Sequence, residues 1–309
     1  MNKLVYDIGA SNIKFALMTP EGEILVRRTV PTPRESLEAY FSALTELAEE
    51  YLNEADGAAF STNGRMFPDG DTYRAYTMSF LTGVNLREEM EKRLQMPVVV
   101  ENDGVAATLG EWWKGAGEGK PNVLGIVLGS GMGSGLILDG RPVRGAHNNS
   151  AMTFGMLTSV DTAKDAYVLS GIETAFPMLL YKIAMAKQVP PMSITGPQFF
   201  EMAESGDPTC LYLLDGYCKA VAVTAYNSFC LLDLDAVVIT GGLAEQPLLY
   251  HGIEEALEKI STGSLQYEGM DLTALGIDIE KDDFKVPLRQ GILCRDANLY
   301  GALYRLVTR

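Results

Sequence analysis

The first residues in this chain that could do chemistry are a carboxylate closing an apolar strand and a glycine loop downstream of it. Val98-Val99-Val100 runs into Glu101-Asn102-Asp103, and Gly129-Ser130-Gly131-Met132-Gly133-Ser134-Gly135 follows. A carboxylate can accept a hydroxyl proton, and a glycine loop can present backbone N–H groups to phosphate oxygens, so the pair points to phosphoryl transfer. The apolar runs Val123 to Leu128 and Leu136-Ile137-Leu138 flank the loop, and Asp139-Gly140 turns the chain into Pro142-Val143-Arg144. No helix pattern follows the glycines and the loop lacks Gly-Lys-Ser/Thr, which excludes a Walker A loop and argues against a dinucleotide fingerprint. What remains is a glycine-rich β-hairpin open to phosphate.

The elements that position these groups begin with the same design. Lys3 to Ile8 reads as a strand, Gly9-Ala10-Ser11-Asn12 as a tight turn, Ile13 to Met18 as the return strand, and Glu23 to Arg28 as a third. Two such meanders imply a duplicated domain facing a shared cleft. Between them, Leu37, Tyr40, Phe41, Leu44, Leu47, Ala48 and Tyr51 recur at helical spacing, Gly57 to Ser61 is a short strand, and Leu86 to Leu94 a short helix. The polar, aromatic stretch Met66 to Asn85 is a candidate wall for a substrate pocket. Strands at Val98 to Glu101 and Ala236 to Thr240 add in parallel to the meanders, so both sheets should be mixed. Pro208 to Leu232 reads as a helix that packs in a core, with a homodimer surface as the alternative.

Length and charge narrow the function classes. A chain of 309 residues, 47% hydrophobic, can bury two cores, and a net charge of −15 argues against a nucleic-acid partner. Met1 leads directly into the first strand and no apolar run is long enough to span a bilayer, so no membrane partner and a cytoplasmic location are expected. Cys210, Cys218, Cys230 and Cys294 form no Cys-x-x-Cys pair, and with two histidines in the chain neither zinc nor a disulfide framework is expected. All four read as buried small apolar residues.

Asp103 has an ordinary alternative, as the N-cap of a helix carrying Ala106, Ala107, Leu109 and Trp113. Against that, ligands of open α/β sheets bind at the C-terminal ends of strands, and Glu101, Asn102 and Asp103 place three polar side chains there. Trp112 and Trp113 read as helix packing before a stacking platform.

Taken together, these segments resemble the ROK (repressor, ORF, kinase) sugar kinases. Asp7-Ile8-Gly9-Ala10-Ser11-Asn12-Ile13-Lys14 is similar to the family's Asp-x-Gly-Gly-Thr-x-x-Lys motif, and Glu101 to Glu111 to its Glu-Asn-Asp-x-x-x-Ala-x-x-Gly-Glu region. Gly129 to Gly135 resembles its second phosphate loop, Val238 to Ala244 its adenosine motif, and Ala297 to Ala302 the terminal helix that returns to the first domain.

The resemblance implies an α/β, actin-like ATPase (ribonuclease H-like) duplicated fold and an ATP- and Mg²⁺-dependent kinase acting on a small-molecule sugar. It implies Asp103 as general base and Gly64 and Asn102 as sugar-binding groups beside it; Thr153, where the family has a sugar-contacting glutamate, and Asn148, a polar residue nearby, are further sugar-binding candidates. Asp7, Gly9, Ser11, Asn12, Lys14, Gly131, Met132, Gly133, Gly241 and Gly242 would hold the nucleotide, with Asp7 orienting magnesium through water. The implied domains are 1–117 with 291–309, and 118–290, hinged at Gly115 to Lys120.

One segment departs from the pattern. Where the family has Ala-Gly-Glu-x-Gly-His, this chain has Ala151-Met152-Thr153-Phe154-Gly155-Met156, and the Cys-rich zinc motif that follows is absent. Asn148, Asn149, Ser150 and Asp165 are the polar groups nearby. Two classes therefore stand: a kinase for a hexose, amino sugar or glycoside, or a nucleotide- or sugar-binding regulatory protein with weak catalysis. The intact base, carboxylate and phosphate loops favour the kinase.

Overall fold

The computed structural model describes the chain except residues 67–72, 75–77, 162–165, 263–265, 268–269, 272–275 and 277–283. Asp165 and much of the Met66 to Asn85 stretch therefore lie outside the described residues.

The first half opens with β1 (Asn2–Ile8), β2 (Asn12–Met18) and β3 (Ile24–Pro31), the meander expected from sequence. Helix α1 (Leu37–Ala48) starts where Ser36 accepts the Ala39 N–H and buries Tyr40, Phe41, Leu44 and Leu47. Then come β4 (Ala55–Thr62), α2 (Leu86–Leu94), β5 (Val98–Asn102) and α3 (Asp103–Lys114). The sheet order is β3-β2-β1-β4-β5, antiparallel through the meander and parallel from β1 onward.

The second half repeats this order. Its strands β6 (Val123–Leu128), β7 (Met132–Leu138) and β8 (Arg141–Pro142) form the second meander. A hairpin of β9 (Leu157–Asp161) and β10 (Ala166–Leu169) precedes α4 (Phe176–Ala186), α5 (Gly196–Glu204) and α6 (Pro208–Leu232). The chain then returns through β11 (Ala236–Thr240), α7 (Pro247–Thr262) and β12 (Leu288–Gln290). The order β8-β7-β6-β11-β12 matches the first sheet strand for strand, and both sheets are mixed. Strand β12 was not legible in sequence because Leu288-Arg289-Gln290 is too short and polar to stand out.

Helix α6 packs its Leu214, Cys218, Val221 and Ala225 into the second core, as its spacing predicts. Cys230 corrects the reading of four buried thiols: it is exposed near the end of α6, while the other three are buried.

The terminal helix α8 (Ala297–Val307) packs Leu299, Ala302 and Leu303 on Val5, Ala59 and Val99 of the first sheet. It also crosses α3 at close range, where a Cβ on Gly301 would overlap Ala106 O and one on Gly110 would overlap Ala297 O. Trp112 and Trp113 each stand 5.6 Å from the Tyr304 ring, and Trp112 Nε1 donates to Lys120 O at 2.7 Å. Both tryptophans are packing residues.

Candidate functional site

Asp103 sits at the junction of β5 and α3, and the cap of that helix is its neighbour. Asn102 Oδ1 accepts the Val105 N–H at 3.1 Å, so the N-cap role weighed as the alternative for Asp103 falls to Asn102. Asn102 Nδ2 donates to Gly64 O at 2.8 Å and to Asp103 Oδ1 at 3.0 Å, and Gly104 N–H donates to the same Oδ1 at 2.8 Å. Among the described residues no hydrogen bond reaches Asp103 Oδ2. Burial pushes this acid up to about 6; the Gly104 N–H draws it down, and the negative charge of Asp7 pushes it further up.

Asp7 is the penultimate residue of β1, on the sheet face covered by α8. Desolvation raises it above the usual carboxylate range, and Lys14 opposes that shift with an ion pair of 3.0 Å to Oδ2. Lys14 Nζ also donates to Arg295 O at 2.6 Å, so the ammonium is shared between Asp7 and the entrance to α8. Ser61 Oγ approaches Asp7 Oδ1 at 3.5 Å, which leaves that oxygen the more open to a ligand. Among the described residues no three His, Cys, Asp or Glu side chains gather into a metal cage. A single open carboxylate fits Mg²⁺, which keeps several waters and takes other oxygens from phosphates.

Two hairpin turns carry the glycines singled out in the sequence. In the first, Gly9 N–H donates to Asn12 O at 2.9 Å, Thr32 Oγ1 ties Gly9 O at 2.8 Å, and Ser11 and Asn12 are exposed. In the second, Gly129 N–H donates to Gly131 O at 3.0 Å, and a Cβ at Gly129 or Gly131 would meet nothing within 4 Å. The Met132 side chain turns into the second core, so only its backbone can serve the cleft. Gly133 sits against Gly104, where a Cβ would come within 3.3 Å of Gly104 Cα. This glycine-to-glycine approach holds Asp103 beside the Gly129–Gly135 hairpin. Gly241, at φ +92°, turns the chain after β11 where a Cβ would lie 2.5 Å from Leu128 O, and Gly242 lies against Arg295. The Gly241-Gly242 turn thus sits at the end of β6, next to the hairpin.

The acceptor side differs from the sequence reading. Gly64, at φ +116°, lies beside Asn102 as expected, with its carbonyl engaged. Glu101 does not join Asn102 and Asp103 in the cleft: it shares the face of Val99, is 1% exposed, and pairs with Arg144. The two-residue period of the strand could have shown this. Thr153 is buried, and its hydroxyl donates to Ser134 Oγ at 2.8 Å, so it braces the loop behind the hairpin. Asn148 is part-buried at φ +51°, in a loop whose His147 O lies 3.5 Å from Arg65 Nη2.

Several side chains near the site carry no signal in sequence. Asn298 Nδ2 on α8 donates to Ser61 Oγ at 2.9 Å and to Asp103 O at 3.0 Å, linking the surroundings of both carboxylates. Next to Gly64, Thr62 Oγ1, Asn63 Oδ1 and Arg65 Nε are buried with no hydrogen-bond partner among the described residues.

Comparison with known proteins reaches the same region. The model of the ROK family matches residues 4–159. An uncharacterized protein of Clostridium perfringens is 29% identical over 82% of this chain and 86% of its own length. The N-acetyl-D-glucosamine kinase of Citrobacter koseri is 26% identical over 77% of this chain and 83% of that protein. Among solved structures, a ROK family glucokinase from Streptomyces griseus in complex with glucose and AMPPNP superposes with a TM-score of 0.80 at 21% identity, covering 99% of each chain. At that identity the likeness shows the fold, the actin-like ATPase arrangement that the duplicated sheets display.

Proposed function

The chain belongs to the ROK family, and from that premise we propose that it is an ATP-dependent sugar kinase with Asp103 as general base. The observation that carries this reading is Asp103 itself. Its Oδ1 is fixed by two donors, no hydrogen bond reaches its Oδ2 among the described residues, and the Gly104–Gly133 contact sets it beside an open glycine hairpin. A carboxyl raised to about 6 is ionised at neutral pH yet more basic than an ordinary aspartate, which suits proton abstraction from an alcohol. The sugar O–H proton passes to Asp103 Oδ2, the oxygen attacks the γ-phosphorus, and ADP leaves with the electrons of the broken P–O bond.

Asn102 and the Gly64 turn hold neighbouring hydroxyls, with Arg65, Asn63 and Asn148 on the same side. Backbone groups of Gly9, Ser11, Asn12, Gly131, Met132 and Gly133 cradle the phosphates, and Gly241 and Gly242 admit the adenosine. Asp7, steadied by Lys14, would hold Mg²⁺ through water, and the ion would supply charge stabilisation to the phosphates. Thr153 acts indirectly, through Ser134, so the acceptor pocket lacks a carboxylate at that position and accepts a substituted hexose, amino sugar or glycoside. The division at 1–117 with 291–309 against 118–290 is part of the same reading. So is a homodimer formed through α6, whose Leu211, Tyr212 and Leu231 are exposed, which light scattering would detect as twice the monomer mass.

The test is ADP release with Mg-ATP across glucose, mannose, N-acetylglucosamine, N-acetylmannosamine, fructose and β-glucosides, with Asp103→Ala beside the wild type. Sugar-dependent release that the variant lacks supports the kinase. Silence on every sugar with retained nucleotide binding favours a regulatory binder.

A further inference from the structure

The loop after β8 is tied to the first sheet by a side chain for which the proposed chemistry has no direct use. Arg144 Nη1 and Nη2 stand 2.7 and 2.5 Å from Glu101 Oε1 and Oε2, a two-point guanidinium–carboxylate pair. Glu101 belongs to β5 in the first half and is 1% exposed; Arg144 comes from the second half and is 32% exposed. Glu101 Oε1 also accepts the Asn102 backbone N–H at 2.9 Å, so the carboxylate held by Arg144 in turn holds the peptide that leads into Asp103. Arg305 Nε, 3.7 Å from Oε2, is too distant to take over as a hydrogen-bond donor.

The other end of Arg144 is equally fixed. Its carbonyl accepts the Ser150 N–H at 3.1 Å, Ser150 Oγ donates to Val143 O, and Ser134 Oγ donates to Ala151 O. Residues 144–151 therefore form one hydrogen-bonded loop, joined on one side to the phosphate hairpin and on the other to the strand that carries Asn102 and Asp103.

A buried ion pair is a poor source of stability, because desolvating both groups offsets most of their attraction. It is a good source of register, because a planar guanidinium meets a carboxylate at two points in few orientations. We infer that Arg144 is a positioning residue for phosphoryl transfer, coupling the placement of loop 144–151 to that of the Asn102–Asp103 backbone so that both walls of the acceptor pocket come into register together. The inference rests on the kinase reading.

Wild type, Arg144→Lys, Arg144→Met and the double variant Glu101→Gln/Arg144→Met test it, with sugar kinetics, binding of a nonhydrolysable ATP analogue and thermal unfolding measured for each. Arg144→Met should lower kcat/KM for the sugar by about a hundredfold, the scale of a misplacement of about 1 Å, chiefly through kcat and with analogue affinity unchanged. Arg144→Lys, which keeps the charge and loses the second point, should fall between. The double variant leaves no buried unpaired carboxylate, so it should regain unfolding temperature without regaining turnover. Wild-type turnover in Arg144→Met, a parallel loss of analogue binding, or turnover recovered with stability in the double variant would each overturn the inference. If Arg144→Met does not fold, the lysine and double variants carry the same decision. A wild type silent on every sugar defeats the kinase reading and this inference with it, whereas an active wild type with indifferent Arg144 variants defeats this inference alone.

Discussion

Thr240 Oγ1 donates a 2.7 Å hydrogen bond to Glu111 Oε1, joining the end of β11 to the end of α3 across 129 positions of sequence. Glu111 is fully buried, and its carboxylate also accepts the backbone N–H groups of Leu293 and Cys294 at Oε1 and of Ala116 and Ile292 at Oε2, all within 3.1 Å. One side chain thereby gathers the segments where the chain passes between its halves: the turn after α3, the end of β11 and the link from β12 to α8. Replacing it with alanine orphans several buried donors at about 1–3 kcal/mol each, so Glu111→Ala should unfold at room temperature or lose at least about 4 kcal/mol. Glu111→Gln keeps one acceptor oxygen and should lose less. Urea unfolding of both variants checks the order.

Gly104 is irreplaceable for a different reason. A Cβ there would overlap the backbone N and O of Ser134, so Gly104→Ala must push the phosphate hairpin away from α3. On the kinase reading such a shift separates Asp103 from the phosphoryl donor, and kcat should fall by about a hundredfold. A loss of sugar affinity with kcat intact would refute this account.

The environment of Asp103 makes opposite demands on activity and stability. If Asp103 serves as the proposed base it must be ionised, so kcat/KM for the sugar should rise through an acid limb near pH 6 and level off above it. Its folded pKa is raised, so the folded state binds the extra proton. The stability this contributes is present below the unfolded pKa of about 4 and is lost as pH rises through about 6. Asp103→Asn should therefore abolish turnover while stabilising the protein by about 1–2 kcal/mol at pH 7.5, and the gain should vanish near pH 4. Equal unfolding temperatures at pH 7.5 would sink the argument.

Asn298 is the side chain through which α8 reaches the site. Asn298→Ala removes its bonds to Ser61 Oγ and Asp103 O and should lower kcat by about tenfold, the value of one modest hydrogen bond in the transition state. Asn298→Asp adds a negative charge between Asp7 and Asp103 and should move the acid limb to higher pH. An unmoved pH profile in the aspartate variant would show that the residue serves α8 packing only.

The sequence by itself determined whatever is carried by contiguous residues. The two meanders, the hairpin Gly129 to Gly135 and the strand ending in Asn102-Asp103 were legible because apolar alternation and turn glycines act within a few residues, whereas the terminal helix came only from the family resemblance. The family's motifs could be laid on Asp7 to Lys14 and Glu101 to Glu111 for the same reason. Only the tertiary structure decided what those residues meet. Asn102, not Asp103, caps α3; Glu101 turns from the cleft to Arg144, 43 residues on; Thr153 serves Ser134; and Asn298 bridges to Ser61, 237 residues away. Such partners are chosen by the packing of α3 and α8 on the sheets, where Gly110, Gly301 and Gly104 let backbones approach closely enough for buried donors and acceptors to find one another.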